Sequence, residues 1–472
     1  MRDEIVINQD ELDLPKRRSI GRSPSSGEGG GSQPQGRIKV KKKFSWKRFF
    51  IFLGVALGIF AIGVAIFLLV NLFKVTGNPF SFGALKGERD GRVNIMMLGV
   101  GDPGHDGEKL SDTNMILSVD TRNKQVAIIS IPRDLRVKIP GYGYSKINNA
   151  HAQGGIEGAK EVYEDTFGIP IHYYVKANFT GLKQVVDAVG GVDVENKTML
   201  YDPEYPCDKN QYKMCGFKLA PGQHHLDGAT ALKYARCRKG TCGDDFGRAE
   251  RQQQIMESVR ERATSAGVLA NPVALGKLVN AAGDNIDTDM SINNVLRLNE
   301  LTKDMDKSKT IRVVFNIDEG GFLVSSGNSS DLLPKGGSFD DIQAFVKSVF
   351  KYGPIWMEKP TIIVENGTTT PGVAGALQKQ FDKDGYNLSV LALTNALQRD
   401  YTQTKIIDYT NGQKPNTINY LQGLLKVQAT PPEKPVKTPP ADIVIILGSD
   451  YASTVQHAGS SASTGTSSRT VR

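Results

Sequence analysis

The sequence has few cysteines, and their positions limit how they are used. There are 4 among 472 residues, namely Cys207, Cys215, Cys237 and Cys242. Their spacing does not form two CxxC knuckles and no histidine is placed as a partner, so a zinc site is the less favoured alternative. Pairing Cys207 with Cys215 and Cys237 with Cys242, one of three connectivities, would close two small loops. We therefore expect disulfides and an oxidising compartment.

Residues 49–73 lack any charged side chain. These 25 positions, FFIFLGVALGIFAIGVAIFLLVNLF, include one polar residue. A soluble core helix would need a polar face, whereas this segment is long enough as a helix to cross a hydrocarbon core of about 30 Å. It begins too far from the start for an ordinary signal peptide and lacks a small-x-small cleavage site. We therefore predict an uncleaved transmembrane helix.

Cationic residues are concentrated before this segment and are scarce after it. Residues 1–48 hold 12 Lys and Arg against 6 Asp and Glu, a net charge of +6, which leaves +2 of the total +8 for the remaining chain. Positive-inside bias places this basic tail in the cytoplasm and the rest outside. The tail suits anionic membrane lipids, and the distribution argues against a nucleic-acid-binding domain. Residues 19–36, rich in Ser, Gly and Pro, are predicted to be disordered.

The part after the anchor has no internal repeat, and its apolar segments alternate between strand-like and helix-like patterns. The runs NIMMLGV, NMILSV and QVAIISI are typical of strands. Helical periodicity and stop signals indicate helices at 156–167, 178–189, 245–266 and 340–349. This alternation predicts an α/β fold in which helices cover a sheet.

A second unit is predicted after Pro354 and Pro360, which mark a domain boundary. The runs TIIVENG, TKIIDYT and ADIVIILG are strand-like, and helical stretches are expected at 372–384 and 417–425. Residues 360–451 therefore form a small α/β domain, with a Pro-rich surface loop before its last strand. The Ser- and Thr-rich residues 452–472 are expected to be a disordered tail.

Polar and charged residues follow or precede three of the predicted strands. The glycine-rich loop GVGDPGHDG lacks the GK[ST] ending of a nucleotide P-loop. Asp112 and Asp102 offer the hard oxygen ligands that Mg²⁺ prefers when it also binds phosphate, although Asp112 could cap the following element and Asp102 could turn the chain. Arg133 emerges from the end of QVAIISIP, where open α/β sheets bind ligands. A structural ion pair with Asp134 is the alternative.

A second cluster lies where a loop enters a helix. It contains Arg236, Arg238, Asp245, Arg248 and Arg251. Arginines near a helix amino terminus suit bidentate binding of phosphate oxygens. A solvated charged face is the usual alternative for such a run.

These motifs together resemble those of the LytR-CpsA-Psr family. The order LSDT, SIPRD, IPGYGYSKINNAHAQGG, YARCR and DFGRAERQQ carries the resemblance over residues 93–352, and VENGT, DYTNG and VIILGSD resemble the LytR carboxy-terminal domain over 360–451. The single anchor with a basic cytoplasmic tail, joined by a linker at 74–92, is the family's usual layout. The resemblance implies an α-β-α sandwich with a central mixed sheet, followed by the small α/β domain.

The resemblance also implies a phosphotransferase that moves a glycan from a polyprenyl-pyrophosphate carrier onto peptidoglycan and releases polyprenyl phosphate. The carrier chain would lie in an apolar groove, and Mg²⁺ or Mn²⁺ would be the cofactor. Asp112, with Asp102, would hold the metal. The resemblance implies that the pyrophosphate is surrounded by Arg133, Lys146, Arg236, Arg238, Arg248 and Arg251. The implied catalytic residues are Asp112, Arg133, Arg236 and Arg248. An acceptor sugar hydroxyl would attack, so no protein nucleophile is needed.

Two positions depart from the family pattern. Many members have Arg where this chain has Leu110, so a phosphate contact is absent or is supplied by Lys109. The second metal carboxylate of the family aligns with Gly101, and Asp102 or Asp106 would replace it. Polyprenyl-pyrophosphate hydrolysis and a non-catalytic, envelope-binding regulatory anchor remain the alternative functions. His151, His224 and His225 are expected to be structural or surface residues.

Overall fold

The computed structural model describes residues 83–455 except positions 208–209, 266, 268–275, 277, 279–282, 306–308, 319–320, 328 and 385–387. Within this part of the chain, no helix combines the length and apolar character needed to span a membrane. The predicted basic tail, the predicted anchor at 49–73, the first part of the linker and positions 456–472 lie outside the described residues.

Short strands and longer helices alternate before residue 360, as the sequence predicts. The strands are β1 (Arg92–Gly99), β2 (Thr113–Asp120), β3 (Gln125–Ile131), β4 (Arg136–Ile139), β5 (Gly143–Lys146), β6 (Tyr173–Ala177), β7 (Val192–Asn196), β8 (Leu200–Asp202), β9 (Pro206–Cys207), β10 (Asn210–Met214), β11 (Phe217–Leu219), β12 (Gly222–Leu226), β13 (Ile286–Thr288), β14 (Ile311–Val314), β15 (Leu323–Ser325) and β16 (Leu332–Pro334). The helices are α1 (Asn149–Phe167), α2 (Phe179–Ala188), α3 (Gly228–Arg236), α4 (Asp245–Ser265), α5 (Ile292–Thr302), α6 (Asp340–Lys347) and α7 (Val349–Glu358).

A six-stranded sheet forms the centre of this region, in the order β13-β6-β1-β2-β3-β14. The pairs β1–β2, β2–β3 and β13–β6 are antiparallel, whereas β1–β6 and β14–β3 are parallel. The predicted α/β fold with a central mixed sheet is thereby confirmed. β3 is buried at six of its seven positions, which explains why its sequence is a continuous apolar run and does not alternate with polar residues.

Helices cover both faces of this sheet. Successive side chains of a strand point to opposite faces, so apolar side chains of one strand can contribute to a core on each side. On β1, Met96 and Leu98 face one core with the aromatic side chains of α1 and α6, whereas Val93 and Ile95 face another core. The second core is bordered by partly buried side chains from α4, α5 and their neighbours. The sheet is therefore the middle layer, and its strand ends remain accessible to loops.

The limits of the predicted helices lie within two residues of those observed, with two exceptions: α1 begins at Asn149 and not at residue 156, because it continues across a kink at Gly155 (φ 62°), and the predicted domain boundary is helical. Gly168 ends α1 in the left-handed conformation (φ 64°) and α4 spans Asp245–Ser265, both as predicted. Pro354, however, lies inside α7 and not in a linker. The helix persists because Val349 is buried in the first core and Ile355 in the core of the following sheet, so burial at both ends offsets the missing N–H of proline.

The region after residue 360 forms a five-stranded sheet in the order β18-β17-β21-β19-β20. Its elements are β17 (Thr361–Asn366), α8 (Val373–Asp384), β18 (Ser389–Asn395), β19 (Lys405–Asp408), α9 (Pro415–Leu425), β20 (Ala429–Thr430) and β21 (Ile443–Leu447). Leu377 and Leu421 from the two helices pack against its central strands. Residues 449–455 are helical and Ala452 is buried, so the prediction of disorder from residue 452 is wrong for residues 452–455.

Both cysteine pairs lie in the segment between α2 and α4. Cys207 is bonded to Cys215 and Cys237 to Cys242, which is the local pairing that we expected. Asp202, only 2% exposed, accepts hydrogen bonds from the backbone N–H groups of Arg238 and Lys239. The loop that carries Arg238 is therefore held by a covalent link and by a buried carboxylate.

Arg251 is a third support for this loop. Its guanidinium is buried and donates to the backbone carbonyls of Tyr234 (3.0 Å), Cys242 (2.8 Å) and Cys237. Burial lowers the pKa of Arg251. Three of its five N–H donors are thus used by the main chain of the disulfide loop, so contact of Arg251 with pyrophosphate stays a prediction that this geometry does not favour.

We predict that Arg251→Ala destabilises the protein. Three buried carbonyls would lose their donor, and such unsatisfied groups cost on the order of 1–3 kcal/mol each. Urea unfolding of the full chain measures the change, and Arg251→Lys should be intermediate because an ammonium supplies fewer well-directed donors. The control is the exposed Arg122→Ala, for which we expect a change within about 0.5 kcal/mol. Equal stability of Arg251→Ala and the control would contradict the structural role.

Candidate functional site

The register of β2 and β3 brings two of the predicted site residues to one end of the sheet. Asn114, near the start of β2, pairs with Ile131 at the end of antiparallel β3. Asp112 directly precedes β2, and Arg133 follows β3 after one proline. Two loops that are distant in sequence therefore meet because of strand pairing.

Arg133 is the centre of an ion-pair cluster. Its guanidinium nitrogens lie 2.9 Å from an Asp112 oxygen, 3.2 Å from Asp245 and 3.7 Å from Asp134. The ion pair with Asp134, the alternative to a ligand-binding role, is thus present, but it is the longest of the three. The first turn of α4 contributes Asp245, which had not been assigned as a site residue.

Arg248 extends this cluster from the same helix. It is only 7% exposed and pairs with Asp245 at 3.1 Å, and it also donates to the backbone carbonyl of Asp112 at 3.3 Å. Spacing of three residues places Asp245 and Arg248 on one face of α4. The structure therefore brings together Asp112, Arg133 and Arg248, three of the four predicted catalytic residues.

The pKa shifts of the two arginines have different origins. Burial alone would lower the pKa of Arg133, but the adjacent Asp112 carboxylate, with Asp245 and Asp134, raises it overall. Burial lowers the pKa of Arg248, and the positive charges of Arg133 and Arg238 act in the same direction. The cluster is therefore a region where several cations are held close together by interleaved carboxylates.

Lys146 lies at the border of this cluster. Its ammonium is 2.6 Å from Asp134 and 2.6 Å from the hydroxyl of Ser330. Asp134 is consequently held between Lys146 and Arg133. Lys146 is joined to the arginine cluster through this shared carboxylate.

Arg236 and Arg238 approach from the disulfide loop. The guanidinium of Arg236 lies over the ring of Phe179 at 4.0 Å and donates to His105 Nε2 at 3.5 Å. The Arg238 side chain is exposed and close enough to lower the pKa of Arg248. Stacking on an aromatic ring orients the guanidinium of Arg236 while leaving its edge available.

Asp102 does not contact the other site residues in the way that we expected of a metal ligand. Its two oxygens accept hydrogen bonds from the N–H and the hydroxyl of Thr180, at 2.8 and 3.0 Å. This is a cap on the first turn of α2, where a carboxylate stabilises unpaired amides. Its assignment to a metal remains a prediction that this geometry does not support.

Asp112 has the exposure that a metal ligand needs, since its side chain is 43% exposed beside Arg133. Among the described residues, the one group of three or more His, Cys, Asp or Glu side chains close enough to share an ion is Asp202, Cys237 and Cys242. Both cysteines are in a disulfide, so this group does not support the zinc alternative. A metal at Asp112 would take its remaining ligands from water and phosphate oxygens, as Mg²⁺ usually does.

The histidines fit the structural or surface roles that we expected. His151 forms a hydrogen bond with the Lys109 carbonyl and His224 with that of Ala220, each at 2.8 Å. His225 pairs with exposed Asp193.

A buried polar network lies beneath Asp112, and the sequence patterns did not predict it. Asn114 Oδ1 accepts from the hydroxyls of Ser111 (2.7 Å) and Tyr163 (3.1 Å), while Asn114 Nδ2 donates to the Ser111 carbonyl. The backbone N–H of Ser111 donates to the Asn148 carbonyl, and that of Asn148 donates to the Arg133 carbonyl. The asparagine in the otherwise apolar run NMILSV is a sequence signal that could have indicated this network.

Two family models match the chain. Residues 73–328 match the LytR_cpsA_psr family, and residues 359–451 match the family described as LytR cell envelope-related transcriptional attenuator.

Curated relatives match the first of these regions. A polyisoprenyl-teichoic acid–peptidoglycan teichoic acid transferase, TagU, of Enterococcus faecalis is 33% identical over 208 residues, which are 43% of this chain and 64% of the relative. TagV of Bacillus subtilis, which carries the same description, is 35% identical over 212 residues, or 44% of this chain and 52% of the relative. The chain thus spans between half and two thirds of the length of these relatives.

Solved structures match at a similar coverage. The crystal structure of B. subtilis TagV is 28% identical to this chain and has a TM-score of 0.45; the match covers 55% of this chain and 98% of the TagV chain.

Because the first family model covers more than half of the 472 residues, the chain belongs to the LytR-CpsA-Psr family.

Proposed function

We propose that this protein transfers a glycan from a polyprenyl-pyrophosphate carrier to peptidoglycan and releases polyprenyl phosphate. The observation that carries the proposal is the cluster of Arg133, Arg248 and Asp112 at the end of the central sheet. The relatives described as teichoic acid transferases support the same reaction class. Family membership and site geometry thus point to one chemistry.

In the proposed reaction, an acceptor hydroxyl attacks the phosphorus that bears the glycan. A new phosphorus–oxygen bond joins the glycan phosphate to the acceptor, the bond to the second phosphate breaks, and the hydroxyl proton passes to solvent. Negative charge accumulates on the departing polyprenyl phosphate. Arg133 and Arg248 would spread this charge, and such preorganised donors are usually the largest contribution to phosphoryl transfer.

A divalent cation, Mg²⁺ or Mn²⁺, is proposed as cofactor. Asp112 would hold it together with phosphate oxygens, and the bound ion would neutralise charge on the pyrophosphate. The fit rests on the exposed Asp112 carboxylate, 2.9 Å from the Arg133 guanidinium.

The carrier chain is proposed to lie along the partly buried side chains that pack against the second core. Four of these side chains are methionines: Met97, Met256, Met290 and Met305, with Leu117 and Val175 from the sheet. Flexible thioethers adapt to a long, irregular hydrocarbon.

The proposed location is the outer face of the cell membrane. The uncharged segment at 49–73 and the basic residues before it support an anchor with its amino terminus in the cytoplasm. The two disulfides support an oxidising compartment for the rest.

The first test is Arg133→Ala in the full chain, with a polyprenyl-pyrophosphate oligosaccharide, Mg²⁺ and peptidoglycan fragments. Loss of one donor to a developing charge reduces such rates by about 10²- to 10³-fold, and Arg133→Lys should restore part of the rate because it keeps the charge but not the bidentate geometry. Released polyprenyl phosphate and glycan-linked fragment are both quantified. Exposed Arg122→Ala is the matched control.

Each outcome separates the competing functions. Wild-type release of lipid phosphate without linked fragment would identify a hydrolase. Carrier binding without either product would identify a non-catalytic anchor, and an unchanged rate in Arg133→Ala would reject the proposed site.

A second test addresses the metal. We expect a chelator to abolish transfer, and Asp112→Asn to raise the Mg²⁺ concentration needed for half-maximal rate, because an amide is a weaker ligand than a carboxylate. Asp102→Asn should keep the wild-type Mg²⁺ requirement, since Asp102 caps α2. A raised requirement in Asp102→Asn alone would assign the metal to Asp102.

A third test addresses the compartment. Free cysteine thiols in isolated membranes are alkylated without reductant. The protein is then digested, and its peptides are mapped by mass spectrometry. Linked peptides should pair Cys207 with Cys215 and Cys237 with Cys242. Recovery of four alkylated thiols would contradict the proposed location.

A further inference from the structure

The glycine-rich loop that follows β1 has no part in the reaction steps described above. It spans residues 99–107, and two of its side chains contact other elements. Asp102 accepts hydrogen bonds from the N–H and the hydroxyl of Thr180 in the first turn of α2. His105 contacts Phe179, the first residue of α2, and Arg236, the last residue of α3. The loop thus connects the start of α2 with the end of α3.

The imidazole of His105 fills the space beside Gly101. A Cβ atom built on Gly101 would lie 3.0 Å from Nδ1 and 3.1 Å from Cγ of His105. His105 Nδ1 is 2.7 Å from the carbonyl oxygen of Asp106. A carbonyl oxygen can only accept, so the neutral ring donates from Nδ1 and has its acceptor at Nε2. The loop therefore presents a ring nitrogen as an acceptor to Arg236.

Three rings contact the guanidinium of Arg236. The guanidinium carbon lies 4.0 Å from the ring centroid of Phe179 and 5.8 Å from that of Tyr205. One guanidinium nitrogen forms a long hydrogen bond of 3.5 Å with His105 Nε2. His105 also packs edge-on against Phe179, with ring centroids 5.1 Å apart. Aromatic faces within about 6 Å attract a cation, so these rings restrict the directions that the Arg236 side chain can take.

The end of α3 lies beside the phosphate cleft. Gln252 lines this cleft together with Asp112 and Arg133. Its side-chain N–H donates to the carbonyl of Ala235 at 3.3 Å, and Arg236 is the next residue. The backbone at Arg236 is thus fixed next to the cleft. The long side chain has many rotamers, so its direction depends on the surrounding rings.

We propose that His105 and Phe179 are positioning residues for the transfer reaction, and that they hold the Arg236 guanidinium ready for the pyrophosphate. Stacking on Phe179 covers a face of the guanidinium and leaves N–H groups at its edge for phosphate oxygens. A donor held in place before binding stabilises developing charge better than a mobile one. The inference rests on the proposed function for the identity of the bound group. The alternative is that these contacts only stabilise the packing of α2 and α3.

A double-mutant cycle tests whether Phe179 acts through Arg236. In the full chain in detergent, Phe179→Leu should lower kcat/KM for the polyprenyl-pyrophosphate oligosaccharide by about 3- to 30-fold, the scale of one cation–π contact. Phe179→Tyr should restore most of the rate because it keeps the ring. In an Arg236→Ala background, Phe179→Leu should have no further effect, since residues that act through one contact are not additive.

His105→Ala tests the loop itself. We expect a decrease of about 2- to 10-fold in the same kcat/KM, the scale of one hydrogen bond, and again no further effect in the Arg236→Ala background. The KM for the acceptor should be unchanged in both single variants. Because His105 lies in a loop and is not one of the buried core residues, this variant carries the cycle if Phe179→Leu does not fold.

The matched control is Phe350→Leu. The Phe350 ring also contacts an arginine, since the Arg92 guanidinium carbon lies 5.4 Å from its centroid. Arg92 begins β1, at the opposite end of the strand from the glycine-rich loop, so kcat/KM should stay at the wild-type value. Thermal melting followed by circular dichroism shows that each variant is folded. An unchanged kcat/KM in Phe179→Leu and His105→Ala, or equal decreases with and without Arg236, would overturn the positioning role.

Binding of inorganic pyrophosphate with Mg²⁺, measured by calorimetry on the full chain, does not require turnover. Phe179→Leu should weaken this binding in the presence of Arg236 and have no effect in Arg236→Ala. If the wild-type protein binds pyrophosphate in this pattern but shows no transfer, the proposed function fails and the positioning role stands. Equal binding by wild type and Phe179→Leu, or the absence of both binding and transfer, would overturn the positioning role.

Discussion

The ion pairs of Arg133 are the interaction on which the site depends. They join the residue before β2, the end of β3 and the first turn of α4. Strand pairing brings the first two together, and the carboxylate of Asp245 joins α4 to that end of the sheet. Since the Arg133 side chain is 22% exposed, these contacts are screened less than surface pairs, and removal of a partner would leave a partly buried charge.

The same carboxylates set the conditions for binding phosphate. Without a ligand, Asp112 and Asp245 occupy the guanidinium edges that a pyrophosphate would use. These carboxylates hold the guanidinium groups in position before a ligand binds. A phosphate would have to compete with them for the same N–H donors. A cation held by Asp112 would reduce this competition, because the carboxylate would then share its charge with the metal. If the proposed function holds, metal binding and phosphate binding would therefore be coupled.

Much of the fold could be predicted from sequence because its signals are local. Apolar runs marked β1, β2 and β3, and Gly168 marked the end of α1. Pro354 was misleading, since burial of Val349 and Ile355 at opposite ends of α7 stabilises a helix that a local rule ends. Arg251 and Asp102 also looked like site residues by type and spacing. Their contacts with buried carbonyls and with Thr180 depend on tertiary structure, which spacing does not reveal.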